Sequence, residues 1–182
     1  MRDRIFSVTK EILAAKGLAA DLQEVIARVG VGASTVYRHF TNKEALYREV
    51  ALEMVNRTRD QFLEIASHHQ DARECVAQTM QLGFRNIQDY GMLAIELFSD
   101  VHPREYRDLF DRNALEAFFG ALIERGVHQG HFRPDVDVEH AVGVWFALTA
   151  PGVLGRLLQQ RTVEEIADIT TRFFLAGLSL SD

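Results

Sequence analysis

The segment from Asp21 to Leu46, DLQEVIARVGVGASTVYRHFTNKEAL, constrains the fold more than any other part of this chain. Leu22, Val25, Ile26 and Val29 recur at i, i+3, i+4 and i+7, one face of a short helix. Asp21 and Glu24 have the spacing of an Asp-led capping box at its start. Gly30 follows the apolar face directly, where a helix end favours a residue free to take positive φ. Gly32 then opens a second short helix over about 33–39, in which Val36, with Phe40 just past its end, continues the buried stripe. Thr41 and Glu44 have capping-box spacing and start a third helix. Two short helices joined by a glycine turn, the second with a polar outer face, are the layout of a helix-turn-helix.

The outer face of the second helix suits nucleic acid. Helical geometry groups Ser34, Thr35 and Arg38. An arginine there can donate two parallel hydrogen bonds to guanine O6 and N7. Ser34 and Thr35 can reach bases or phosphates, and Ala33 can pack on a thymine methyl.

These residues resemble the DNA-binding region of the TetR family of bacterial transcriptional regulators. The resemblance is carried by Ile26-Ala27, Gly30-Val31, Thr35 to Phe40 and Lys43 to Leu46, in matching order and spacing. It covers roughly the first quarter of the chain, about 48 residues. Beyond it the likeness rests on length, helical pattern and the position of apolar helices. Three departures stand out. Gly32 occupies a position where Ser is usual, Ser34 replaces a common Gly, and the basic arm that many relatives carry ahead of Ile5 is not seen. The resemblance implies that Tyr37, His39 and Lys43 hold phosphates, with the N-terminus of the following helix beside them. It also implies that Gln23 lies near the DNA backbone.

The rest of the chain reads as helix. Of its 182 residues, 47% are hydrophobic and 25% charged, ordinary globular values. Prolines occur only at Pro103, Pro134 and Pro151, and no alternating β-branched run bounded by turns is present. The periodicity predicts helices over about 3–16, 42–67, 71–90, 92–99 and 103–129, then from about 138 and from about 163. Gly17, Gly91 and Gly130 serve as stops, and Thr162 with Glu165 forms a capping box. Pro151 predicts a kink or a stop near 147–151. The expected fold is all-α with about nine helices. An N-terminal helix-turn-helix DNA-binding domain spans 1–48 and a helical effector-binding and dimerisation domain spans 49–182.

Charge supports this division. The net charge is −6, but residues 1–48 hold eight Lys or Arg against five Asp or Glu, and all three lysines lie before Glu44. The positive field is therefore local to the proposed DNA-binding end. The single Cys75 excludes an intramolecular disulfide and suits a reducing cytoplasm, and it reads as a small buried hydrophobe. The charged, amphipathic start does not read as a signal peptide. The apolar stretch 141–158 carries Gly143, Pro151, Gly152, Gly155 and Arg156, which fits a buried helix pair and not a membrane span.

Catalytic and metal signals are weak. His128 and His131 with Asp135 and Asp137 form a conceivable zinc set, without cysteine support and across a helix end. Gly30-Val31-Gly32 follows a helix and lacks a third glycine, so it is not a dinucleotide loop. No Gly-x-Ser-x-Gly or HExxH occurs. The chain is expected to be a non-enzyme without metal or cofactor.

Family resemblance implies an effector cavity between the helices of the second domain. Its candidate lining is Met54, Phe62, Phe84, Phe98, Phe118 and Trp145, with Arg57, Asn86, Glu96 and Thr149 as polar contacts. For any one of these residues taken alone, a place in the core or on the surface outweighs a ligand contact. The last two long helices are expected to pair with their mates in a homodimer through Gly143, Ala147, Gly155, Ile166 and Phe173. The resulting expectation is a homodimeric repressor, released from a palindromic operator in double-stranded DNA by a small, largely apolar effector of unspecified identity. A helical carrier or enzyme with a DNA-inactive helix-turn-helix is the alternative.

Overall fold

A computed structural model describes residues 1–97, 104–109 and 111–179. The described residues form nine α-helices and two short 3-10 segments. The helices are α1 (Arg2–Lys16), α2 (Leu22–Val29), α3 (Ala33–His39), α4 (Lys43–His68), α5 (Ala72–Leu97), α6 (Arg112–His128), α7 (Val138–Leu148), α8 (Pro151–Leu157) and α9 (Val163–Leu178). The chain divides into two compact units, Met1–Arg57 with Asn86–Phe110, and Thr58–Arg85 with Asp111–Asp182. Both α4 and α5 therefore contribute to each unit.

The first unit is built on an aliphatic core. Ile5, Ile12 and Leu13 of α1 meet Leu22, Val25 and Val29 of α2, Val36 of α3, and Leu46, Val50 and Met54 of α4. Gly17 ends α1 at φ 68° and Gly30 ends α2 in the left-handed region at φ 73°, both at the expected stops. The caps differ in detail from the sequence pattern. Asp21 accepts from the backbone of Gln23 at 3.0 Å, while Glu24 pairs with Lys16 at 2.6 Å, so no reciprocal box forms. The start of α4 is capped by Asn42, whose Oδ1 accepts from Ala45 N at 2.7 Å, and not by the expected Thr41–Glu44 box. Asn is the stronger cap of the two and stands one residue nearer the helix.

The second half of α5 belongs to this unit. Helical geometry breaks at Gly91, with φ 48° and ψ −125°, where the sequence predicted a stop between two helices. A Cβ at Gly91 would lie 2.0 Å from the Ala14 carbonyl oxygen, so only glycine allows α5 to cross the end of α1 this closely. Beyond the bend, Glu96 accepts from Leu18 N at 2.6 Å and its carboxylate packs against Gly17.

The second unit is aromatic. Phe119 sits at its centre, 4.2 Å from Trp145, 5.6 Å from Phe62 and 5.5 Å from Phe118, measured between ring centroids. Trp145 meets Phe174 of α9 edge-on at 5.4 Å. The predicted helix over 103–129 begins later, at Arg112, because Asp111 caps it by accepting from Ala114 N at 3.0 Å. Pro103 lies outside the described residues. Pro151 is the first residue of α8 and follows the end of α7 at Leu148, so it marks a helix start. Thr162 and Glu165 form the predicted capping box of α9.

Candidate nucleic-acid interface

The geometry of α3 follows from its two ends. Gly30 turns the chain and Gly32, extended at φ −69°, opens the helix, with Thr35 N donating to Gly32 O at 2.9 Å. Val36 and Phe40, 1% and 4% exposed, anchor the inner side. That anchoring leaves Ala33, Ser34, Tyr37 and Arg38 exposed, with Thr35 and His39 half-buried beside them. Gln23, at the start of α2, is exposed as well. Lys43 is half-buried, its Nζ 5.1 Å from the ring centroid of Tyr47.

Ion pairing sorts the cations of the first 48 residues. Arg2 pairs with Glu49, Lys10 with Glu53 at 3.9 Å, Lys16 with Glu24 at 2.6 Å, Arg28 with Glu11 at 2.6 Å, and Arg48 with Asp108. Arg4, Arg38 and Lys43 have no carboxylate partner among the described residues. Two of these three lie on α3 and at the start of α4. The positive charge available to a polyanion is thus concentrated on the outward face of the helix-turn-helix.

Behind this face, Tyr47 is 1% exposed and donates to the Ala20 carbonyl at 3.1 Å. Burial, with Asp21 nearby, pushes its phenol from 10.0 up to about 12. Arg48 makes a two-pronged contact with Asp108, one prong at 2.9 Å, which holds the Asp108 carboxyl below its usual range. Both Tyr47 and Arg48 are on α4, and sequence reading assigned neither a role. Asp108 is 60 residues from Arg48, a separation with no local signal.

The pattern of 5–50 matches the model of bacterial regulatory proteins of the TetR family. The chain is 25% identical to the HTH-type transcriptional repressor KstR2 of Rhodococcus jostii (strain RHA1) over 147 residues, 77% of this chain and 72% of that protein. The fold is that of the ketosteroid transcriptional regulator KstR2 of Mycobacterium tuberculosis, at TM-score 0.77 and 17% identity, covering 99% and 95% of the two chains. It is also that of a transcriptional regulator from Saccharomonospora viridis in complex with choline, at TM-score 0.79 and 20% identity, covering 99% and 98%. Residues 5–50 carry a DNA-binding segment of the TetR family. With that segment, and its likeness to a transcriptional repressor over most of its length, the chain reads as a helix-turn-helix DNA-binding regulator of transcription.

The candidate effector residues fall in different surroundings. In the first unit, Met54 is fully buried in the aliphatic core, Arg57 is exposed, and Asn86 is 3% exposed. Glu96 is engaged with the Leu18 backbone, a bond that explains its half-burial without a ligand. In the second unit Phe62, Phe84 and Trp145 are buried and Phe118 is half-buried. Thr149 donates to the carbonyls of Trp145 and Phe146 at 3.3 and 3.2 Å, closing its own helix. Phe98 lies outside the described residues. Sequence reading missed Arg112, whose guanidinium sits 4.5 Å from the Phe146 ring centroid and pairs with Glu116 at 2.7 Å.

The dimer candidates also separate. Gly143 and Ala147 are exposed on α7, and Phe173 on α9 is 70% exposed. Ile166, two turns earlier on nearly the same side of α9, is 2% exposed and buried within the protomer. Gly155 lies in α8, and its surroundings are outside the described residues. His131 pairs with Asp71 at 3.5 Å, and no group of three metal-ligating side chains gathers among the described residues. None of the described helices is long and apolar enough to cross a membrane.

Proposed function

We propose that this protein is a homodimeric repressor that binds a palindromic operator and leaves it when a small, largely apolar effector occupies the second domain. Residues 1–48 act as the DNA-binding domain and 49–182 as the effector-binding and dimerisation domain. The observation that carries the reading is Arg38, exposed on a helix anchored by Val36 and without a carboxylate partner among the described residues. Arg38 reads a guanine; Ser34, Thr35 and Ala33 contribute neighbouring contacts; Gln23, Tyr37, His39 and Lys43 contact backbone. Two copies on a twofold axis read half-sites one helical turn apart, about 34–36 Å, or a multiple of it.

The chemistry of the second unit supports an apolar effector, since its centre is a cluster of phenylalanines around Trp145. The relative named a ketosteroid regulator supports an apolar ring compound or its conjugate. Choline, bound by another relative, is the polar comparison. An effector that discriminates between the two states by about 1–3 kcal/mol changes operator occupancy several-fold or more.

The test is selection of bound sequences from random duplex DNA, followed by anisotropy titration. A twofold-symmetric consensus, bound with a steep salt dependence and released by apolar compounds but not by choline, is the expected result. Recovery of no consensus would overturn the operator reading. Release by no apolar compound would overturn the effector reading alone.

A further inference from the structure

We propose that Tyr47 is a positioning residue for DNA binding: its buried ring holds the Lys43 ammonium at the first turn of α4 and leaves the charge free for a phosphate. This role rests on the DNA-binding reading above and needs no contact between Tyr47 and DNA.

The way each cation is held sets Lys43 apart. Among the described residues, Arg2 lies over the Phe40 ring, Lys10 over Tyr90, Arg112 over Phe146 and Lys43 over Tyr47. Arg2, Lys10 and Arg112 each have a carboxylate as well, on Glu49, Glu53 and Glu116. A carboxylate fixes a cationic side chain and also offsets its charge. Lys43 has the ring without a carboxylate among the described residues, its Nζ 5.1 Å from the centroid. An aromatic face attracts an ammonium through its quadrupole and carries no net charge. Lys43 is therefore held with its full charge and its N–H donors still available.

The ring itself is pinned. Tyr47 is 1% exposed, and its hydroxyl donates to the Ala20 carbonyl at 3.1 Å. Ala20 directly precedes Asp21, the N-cap of α2, whose carboxylate accepts from Gln23 N at 3.0 Å. One buried side chain thus ties Lys43 to the start of α2, where Gln23 stands as another proposed backbone contact. Lys43 is four residues before Tyr47 on α4, the spacing at which helical neighbours meet.

Holding the side chain in advance matters for affinity. A lysine that closes on a phosphate loses rotamer freedom, and that loss weakens binding. A lysine already resting on a fixed ring has less freedom left to lose.

The test is a double-mutant cycle on a labelled random-sequence duplex, read by anisotropy, with circular dichroism as the check on folding. Tyr47→Leu removes the ring and should weaken binding by about 2–5-fold per bound protomer. In the Lys43→Ala background the same change should have no effect, because the ring then has nothing to hold. A second series covers the case in which Tyr47→Leu does not fold. It starts from Tyr47→Phe and replaces that side chain by progressively fluorinated phenylalanines, which keep nearly the same shape and weaken the quadrupole. Affinity should fall along the series when Lys43 is present and stay level in Lys43→Ala. Affinity that ignores fluorination, or that falls equally in both backgrounds, would overturn the role of Tyr47 and leave the DNA-binding reading standing. A folded wild-type protein that does not bind the duplex would overturn both.

Discussion

Two exposed helix faces of this protein have opposite chemistry. The face of α3 presents Ser34, Thr35 and Arg38, hydrogen-bonding groups on a helix held by two apolar anchors. The face of α9 presents Ile169 and Phe173, apolar groups on a helix whose other side is already fully packed. A polar face loses little by staying in water and gains from a partner with a directional donor and acceptor pattern. An apolar face gains from any surface that removes it from water. On the reading proposed above, α3 provides specificity and α9 assembly, and mutations can test each role separately.

The largest effect is expected on α9. Phe173→Arg places a charge where the dimer would bury it, at a cost of roughly 3–5 kcal/mol when unpaired. The protomer fold should survive, because the native side chain is 70% exposed. Sedimentation should show monomers, and operator affinity should fall by at least about 100-fold as the second half-site is lost. Operator binding at wild-type strength would break the division of labour between the two faces.

Changes on α3 should be smaller and should alter sequence preference. Arg38→Ala should cost about 1–3 kcal/mol and relax the preference at one position of each half-site. Lys43→Ala should weaken all sequences alike and reduce the salt slope by about 1. Binding-site selection on the two variants, with titrations at several salt concentrations, separates these outcomes. An unchanged base preference in Arg38→Ala would remove α3 from direct readout.

The DNA-binding face was legible in the sequence because its determinants are local. Period 3.6 placed Val25, Val29 and Val36 inside, and Gly30 ended α2 where it was expected. The caps at Asn42 and Asp21 departed by one residue or one partner, since adjacent Thr, Asn and Asp offer competing geometries that sequence spacing does not rank. What sequence could not show is contact between distant residues. Glu96 reaching Leu18, Arg48 reaching Asp108 and Phe119 gathering Phe62 and Trp145 depend on packing across many tens of residues. For that reason Met54 and Glu96, proposed as effector contacts, turn up in an aliphatic core and at a backbone cap. The exposure of Phe173 against the burial of Ile166 was hidden similarly. Both are apolar and share one side of α9, and only packing shows that the protomer covers the start of that stripe and not its later turns.

Between face and core lies Tyr47, which tests the support behind α3. Tyr47→Phe leaves the Ala20 carbonyl without its partner and should cost about 1–3 kcal/mol of stability. Its contribution should depend on pH in a fixed direction. The unfolded phenol ionises near 10.0, while the folded one holds its proton to about 12. Between these values the unfolded state releases a proton that the folded state keeps, so stability falls as pH rises, by up to about 2–3 kcal/mol. Urea titrations of wild type and Tyr47→Phe at pH 8, 10 and 11 should show their difference shrinking with pH. A constant difference would mean that Tyr47 does not stay protonated in the fold.

The smallest effects compare two caps, one behind each face. Asn42 caps α4 through Ala45 N at 2.7 Å, and Thr162 caps α9 through Glu165 N at 3.2 Å. Replacing either by Ala should cost about 1 kcal/mol, within a range of about 0.5–2. Equal losses of stability should have unequal consequences. The first turn of α4 carries Lys43 and points free N–H groups toward the proposed phosphate position, so Asn42→Ala should also weaken operator binding several-fold. The first turn of α9 carries Glu164 and Glu165 and lies two turns before Phe173. Thr162→Ala should therefore lower the melting temperature while leaving operator affinity within about twofold at saturating dimer. Melting curves and anisotropy titrations on both variants decide the matter. If the two alanine variants lose DNA affinity alike, the loss reflects stability alone, and the start of α4 is not a phosphate contact.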